Sequence, residues 1–202
     1  MGDGGPGLAK AARSILDGTF SDLELVIVDD GSRDCSLREA NALATADCRV
    51  RVARQPRRGL VVALNRAWKM SRGALIARMD ADDLSDPHRL EKQAAFLDRH
   101  PRIDVCGCRV ALQPSFGPGT GMGRYIRWQN GLLDHQQMYD ERFVESVLTH
   151  ATAVIRRKAL ERVGGWPDPK WAEDIELGFR LFQRGARFHK IPETLYTWKI
   201  HE

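Results

Sequence analysis

No apolar run in this chain of 202 residues approaches the roughly 20 that a membrane-spanning helix needs, so no helical span is expected. Met1 to Gly7 is polar and glycine-rich and lacks the charged, apolar and small-residue succession of a secretory signal. The expected compartment is therefore the cytosol, with at most peripheral contact with a membrane. Low-complexity segments, internal repeats and an obvious interdomain linker are all missing, which leaves one domain with room for a sizeable core. No nucleic-acid-binding motif is found, and nucleic acid is not an expected partner. The four cysteines, Cys35, Cys48, Cys106 and Cys108, form no Cys-x-x-Cys pair, which argues against a zinc site or a thioredoxin-type motif. Cys106 and Cys108 lie two apart in an apolar run, where a strand would point both to one side as small buried residues.

What is present is an ordinary globular composition with a formal net charge of +4. The basic residues are scattered, and Arg49, Arg51, Arg54, Arg57 and Arg58 form the densest group. Such a group suits a phosphate-bearing partner or a solvated loop. Hydrophobic periodicity predicts helices over 7–18, 36–46, 59–72, 86–99, 157–163 and 172–184, with a mostly helical stretch over 124–148. Short β-branched or alternating runs predict strands over 23–28, 49–53, 74–79, 103–112, 152–155, 188–191 and 195–198. The Gly- and Pro-rich segment 113–123 reads as a loop. Strands alternating with helices imply an α/β fold built on an open, mostly parallel sheet flanked by helices.

In open α/β sheets ligands bind beyond the carboxyl ends of the strands. Two acidic clusters fall at such places: Asp29-Asp30 after the run ending at Val28, and Asp80, Asp82 and Asp83 after the run ending at Met79. Carboxylates this close repel one another unless a cation, a proton or hydrogen-bond donors intervene. An Asp-x-Asp pair presents two oxygen ligands of the kind that favours Mn2+ or Mg2+, with diphosphate oxygens completing the shell. Turn formation and helix capping would also place Asp here. A third pair, Glu173-Asp174, opens the helix over 172–184, where the helix dipole stabilises acids and where a carboxylate could also take a proton from a hydroxyl.

The ordered set Val28-Asp-Asp-Gly-Ser32, Met79-Asp-Ala-Asp-Asp83 and Glu173-Asp174 resembles the family 2 glycosyltransferases. Further matches are Gly59-x5-Asn65-x-Ala67, Gly164-Gly165-Trp166, and Tyr196 shortly before His201. The resemblance covers almost the whole chain. It implies a GT-A-type sheet, with residues 1–112 as the nucleotide-sugar-binding half and 113–202 as a smaller acceptor-binding half of one catalytic domain. It also implies roles. Asp30, with Asp29 beside it, would contact the base or ribose of a UDP-sugar. Asp80 would sit by ribose and metal, Asp82 would be the main metal ligand, and His201 would reach the metal. Asp83 would shape the turn. Asp174 would be the general base, with Glu173 beside it, and Trp171 would contact the acceptor, a glycan or glycolipid. The reaction would be a single displacement with inversion, the cation offsetting charge on the leaving diphosphate. The phrase Arg124-Tyr-Ile-Arg-Trp128 points by analogy to a hexosyl- or N-acetylhexosaminyl-transferase of polysaccharide biosynthesis.

The family begins with an apolar strand, whereas this chain enters its first helix almost at once. A central strand is accordingly expected to be missing, leaving two open edges. Three other readings stay open at this stage: a UDP-sugar-binding fragment with impaired catalysis, a sugar nucleotidyltransferase, and a receiver-type phosphoacceptor domain.

Overall fold

The structure is a computed structural model that describes residues 7–117, 119–168 and 171–200. The first half alternates as expected. Helix α1 (Gly7–Leu16) buries Leu8, Ala11, Ala12, Ile15 and Leu16 on one stripe. It is followed by β1 (Leu25–Asp29), α2 (Ser36–Ala46), β2 (Val50–Arg54), α3 (Leu60–Met70) and β3 (Leu75–Ala77). A two-residue strand, β4 (Leu84–Ser85), then precedes α4 (Arg89–Arg99) and β5 (Val105–Gln113). The rest comprises α5 (Gly121–Gly131), α6 (His135–Glu141), a 3-10 turn (His150–Thr152), β6 (Val154–Arg156), α7 (Arg157–Arg162), α8 (Glu173–Gln183) and β7 (Phe188–Lys199).

The α/β class holds, but the sheet is mixed rather than mostly parallel. Among the described residues β1 and β2 form a parallel pair on their own, and five strands run in the order β3-β6-β5-β7-β4. Only β5 and β7 are parallel in the second sheet; β3 with β6, β5 with β6, and β4 with β7 are antiparallel. The reason lies in the connection from β5 to β6. It carries α5 and α6 and brings the chain back beside β5 in the opposite sense, where a single crossover helix would have kept the strands parallel.

The two expected late strands are one. β7 shifts register against β5 around Arg109, and the extra residues beginning at Pro192 fill the bulge. The predicted loop over 113–123 ends early, because Thr120 caps α5 by accepting a hydrogen bond from the Gly123 N–H. In the stretch 124–148 the helical reading holds to Glu141 and fails beyond it.

Strand β5 is the centre of the core. Val105 packs with Ile155, Leu160, Trp166, Leu177, Leu181 and Phe188 beneath α7 and α8. Cys106, Cys108 and Val110 point the other way and pack with Leu97, Ile191 and Tyr196. Burial raises the thiol of Cys106 to about 12 and that of Cys108 to about 11, so both are inert packing residues. A separate cluster of Ala12, Leu16, Leu43 and Val50 joins α1 and α2 to β1 and β2.

Candidate active site

The turn after β1 is built around Gly31, whose φ of +74° and close approach to the Arg57 backbone leave no room for a Cβ. Asp29 is buried, accepts a hydrogen bond from the Ser32 N–H at 3.2 Å, and lies 3.8 Å from the Arg54 guanidinium. Asp30 accepts three hydrogen bonds: from Gln55 Nε2 at 2.8 Å, from the Arg58 N–H at 2.9 Å and from the Gly59 N–H at 2.8 Å. Burial opposes ionisation of Asp30, but these donors together hold its carboxyl below the ordinary value. Gly59 is the N-cap of α3, so Asp30 anchors that helix. Arg58 contributes its backbone here.

The turn after β3 is held by a different set of groups. Asp80 pairs with the buried guanidinium of Arg78, and its N–H meets Tyr196 Oη at 3.4 Å. Asp83 is 1% exposed and accepts hydrogen bonds from Tyr196 Oη at 2.8 Å and from the Lys199 N–H at 2.7 Å. Burial raises its carboxyl to about 6, against the pull of those two donors. Asp83 is thus a clasp between the acidic turn and the end of β7. Arg89, fully buried, stacks over the Tyr196 ring at 5.0 Å and supports the clasp from below. The turn also abuts the start of α1: a Cβ built on Gly7 would lie 3.5 Å from Asp82 Cα.

Among the described residues no cluster of three or more His, Cys, Asp or Glu is arranged to hold a metal ion. Asp80 and Asp82 nevertheless fit a hard divalent cation, because Mg2+ and Mn2+ sites of this kind use one or two carboxylates and take their remaining ligands from phosphate and water. His201, expected to reach the metal, lies outside the described residues.

Glu173 and Asp174 occupy the first turn of α8, whose N-cap, Ala172, makes no side-chain capping bond. Glu173 Oε1 lies 3.9 Å from His150 Nδ1. Asp174 has no hydrogen bond or ion pair among the described residues, and it lines a cavity with His150, Arg142, Glu145 and apolar side chains such as Leu148 and Phe179. Its charge contributes to raising the Tyr125 hydroxyl to about 12, after burial and Glu145. Trp171 is 52% exposed, and its ring centroid lies 6.2 Å from that of Phe179, which in turn contacts Phe143 at 5.4 Å.

The structure therefore brings two of the three acidic clusters toward one place. Arg78, partner of Asp80, is close enough to His150 to lower its basicity, and His150 faces Glu173. Arg78, Gln55 and Arg89, which hold these acids and their turns, were not singled out by the sequence reading. Arg78 carried a weak signal, a cation two residues before an acid at a strand end. No helix among the described residues is long and apolar enough to cross a membrane.

Known proteins resemble this chain in sequence and in fold. The putative glycosyltransferase EpsE of Bacillus subtilis is 30% identical over 96% of this chain and 68% of its own length. The O-antigen biosynthesis glycosyltransferase WbnJ of Escherichia coli is 27% identical over 93% of this chain and 72% of its own. Among solved structures, a mannosyltransferase of Pyrobaculum calidifontis in complex with GDP-Man and Mn2+ superposes with a TM-score of 0.76 at 20% identity. S. aureus TarS in complex with UDP-GlcNAc does so with 0.75 at 19% identity. These two matches cover 98% and 99% of this chain but only 54% and 56% of the solved ones, so the chain spans little more than half their length. At that identity they establish the GT-A fold. Residues 4–164 match the family described as glycosyl transferase family 2, and the chain belongs to that family.

Proposed function

We propose that this chain transfers a sugar from a nucleotide-sugar donor, UDP-linked, to a hydroxyl of a glycan or glycolipid acceptor with inversion at the anomeric carbon. The observation that carries the reading is the contrast between Asp174 and the other acids. Asp174 lines a cavity without a partner among the described residues, while Asp29, Asp30, Asp80 and Asp83 are each engaged by donors or cations of the protein itself. A carboxylate kept free beside a cavity suits a general base.

Asp30 fixes the start of α3 and, with Asp29, shapes the wall against which the base and ribose lie. Asp80 and Asp82 would hold Mn2+ or Mg2+ beside the diphosphate. When bound, such a cation offsets the negative charge that builds on the leaving diphosphate. Asp174 takes the proton of the acceptor hydroxyl as that oxygen attacks opposite the departing nucleotide. Trp171 offers an apolar face for an acceptor ring. One solved neighbour is in complex with GDP-Man and the other with UDP-GlcNAc, so the choice of base falls to this chain's own pocket. A role in assembling a surface polysaccharide, in the cytoplasm or against the membrane, is in keeping with WbnJ and with the amylovoran biosynthesis glycosyltransferase AmsE of Erwinia amylovora.

Calorimetric titration of UDP and of GDP, with Mn2+ and then with a chelator, tests the donor side. Metal-dependent binding of UDP that is lost in Asp82→Ala is the expected result. Binding of GDP alone would overturn the choice of base. Failure of both nucleotides to bind the folded chain would overturn the transferase reading.

A further inference from the structure

Glu173 faces a histidine whose protonation state is dictated by the rest of the fold. Trp166 Nε1–H donates to His150 Nε2 at 2.8 Å. Indole nitrogen is a donor only, so Nε2 must present a lone pair and the single proton of a neutral imidazole must sit on Nδ1. Nδ1 is the atom that lies 3.9 Å from Glu173 Oε1. The side chain is 10% exposed, and burial first, then the nearby charge of Arg78, holds His150 well below its ordinary basicity. The imidazole therefore stays neutral, with its one N–H on the nitrogen that lies 3.9 Å from Glu173 Oε1.

Trp166 is fixed in turn. Its N–H donates to Asn65 Oδ1 at 3.0 Å and its carbonyl accepts from Asn65 Nδ2 at 2.8 Å, a two-point clasp across 101 residues of sequence. A Cβ at Gly165 would meet Asn65 Oδ1 at 2.4 Å and the Trp68 ring at 2.6 Å, and Gly165 has φ of +89°. The Gly59-x5-Asn65 and Gly164-Gly165-Trp166 segments are thus two halves of one joint. Asp30 anchors the start of α3, Asn65 projects from it to hold Trp166, and Trp166 sets the tautomer of His150.

We propose that His150 is a positioning residue for the acidic pair, a neutral imidazole whose Nδ1–H is aimed at Glu173 and locked in that tautomer by the Trp166 indole. The gap of 3.9 Å is longer than a hydrogen bond, and it closes when acceptor binding turns the Glu173 carboxylate inward. Glu173 then has a donor of its own and does not compete for the acceptor proton, which leaves that proton to Asp174. This last role rests on the reading of the pair given above; the tautomer and its aim do not.

Long-range 1H–15N correlation spectra of the labelled chain test both. Wild-type His150 is expected as the Nδ1–H tautomer, uncharged across the range from pH 5 to 8 in which a free imidazole titrates. Trp166→Phe, which keeps an apolar ring and removes the donor, should give mixed tautomers and protonation at higher pH. Glu173→Gln should shift the Nδ1–H proton. An Nε2–H tautomer in the wild type, or an Nδ1–H signal indifferent to Glu173→Gln, overturns the proposal. On a nucleotide sugar that the chain turns over, His150→Phe should lower kcat by about 10²-fold with the donor KM unchanged. His150→Asn, whose amide nitrogen sits where Nδ1 does, should recover most of the loss. Equal losses in the two variants overturn the positioning role. If the wild type turns over no nucleotide sugar, the transferase reading falls, and the spectra still decide the state and aim of His150.

Discussion

The acids after β1 and β3 and the acids at the start of α8 are held in opposite ways. Asp30 and Asp83 accept five hydrogen bonds between them, and Asp80 has a buried arginine as counter-ion. Glu173 and Asp174 have a distant imidazole and nothing, respectively, among the described residues. A surface that must present fixed oxygens to a polyanionic ligand gains from rigid carboxylates, since their order is then not created at the moment of binding. A group that must accept a proton gains from having no competing donor. Under the proposed function, this contrast is the division between donor binding on one side and proton transfer on the other.

The largest expected effect breaks that contrast at its free end. Asp174→Asn removes the proposed base and keeps the shape, so kcat should fall by about 10²- to 10⁴-fold. UDP affinity measured by calorimetry should stay unchanged. A comparable loss of UDP affinity would mean that Asp174 belongs to the donor side and that the division is wrong.

Next in size is the joint between the two sides. Gly165→Ala puts a Cβ into Asn65 and Trp68 at a backbone angle that alanine resists. Overpacking and the left-handed conformation together should cost about 3 kcal/mol, read from urea unfolding. Because Asn65 and Trp166 are linked through this joint, the variant should also disturb His150, whereas Gly164→Ala, with nothing near its Cβ, should carry only the conformational cost.

A third effect concerns a buried cation on β7. Lys190 is 1% exposed, and its ammonium is met by the carbonyls of Gln129 and Val147 but by no carboxylate among the described residues. Burial lowers its pKa to about 7 from an ordinary 10.5. Between those values the unfolded chain holds the proton and the folded chain does not, so stability rises with pH. From pH 7 to pH 9 the gain should be about 2–3 kcal/mol in urea unfolding, after other groups are subtracted using Lys190→Met, which should lack the rise. A flat profile in the wild type would show that the amine stays charged in place.

Lys190 also marks where the sequence stops being legible. The first half could be read closely, because β1, α2, β2 and α3 each carry a clean period, and β1 ends at Asp29 and α2 just before Asp47. The acidic clusters could be read too, since Asp after a buried strand is visible in one dimension. Three things could not. The antiparallel placement of β6 depends on where a long connection returns, and nothing within Val154–Arg156 encodes a direction. Buried cations such as Arg89 and Lys190 look like surface residues until the carbonyls and the Tyr196 ring around them are known. The engagement of Asp30 by Gln55, Arg58 and Gly59 requires β1 and β2 to be paired in register, which sets Asp29 opposite Arg54. A motif names the acid, while packing decides whether its oxygens are free.

The smallest effect sharpens the comparison on the acceptor side. Trp171 is half exposed and touches Phe179 at the edge of the cavity that Asp174 lines, but it belongs to none of the three core clusters. Trp171→Ala should therefore change unfolding free energy by no more than about 0.5 kcal/mol. Stacking of a sugar on an aromatic face of this kind is worth about 0.5–1.5 kcal/mol, so the acceptor KM should rise about two- to tenfold while the donor KM holds. Trp166 is the control. It is 4% exposed within the core, so Trp166→Ala should lower stability by about 3–5 kcal/mol. If Trp171→Ala destabilises the fold as Trp166→Ala does, its face is packing surface and the acceptor must be sought elsewhere along the cavity.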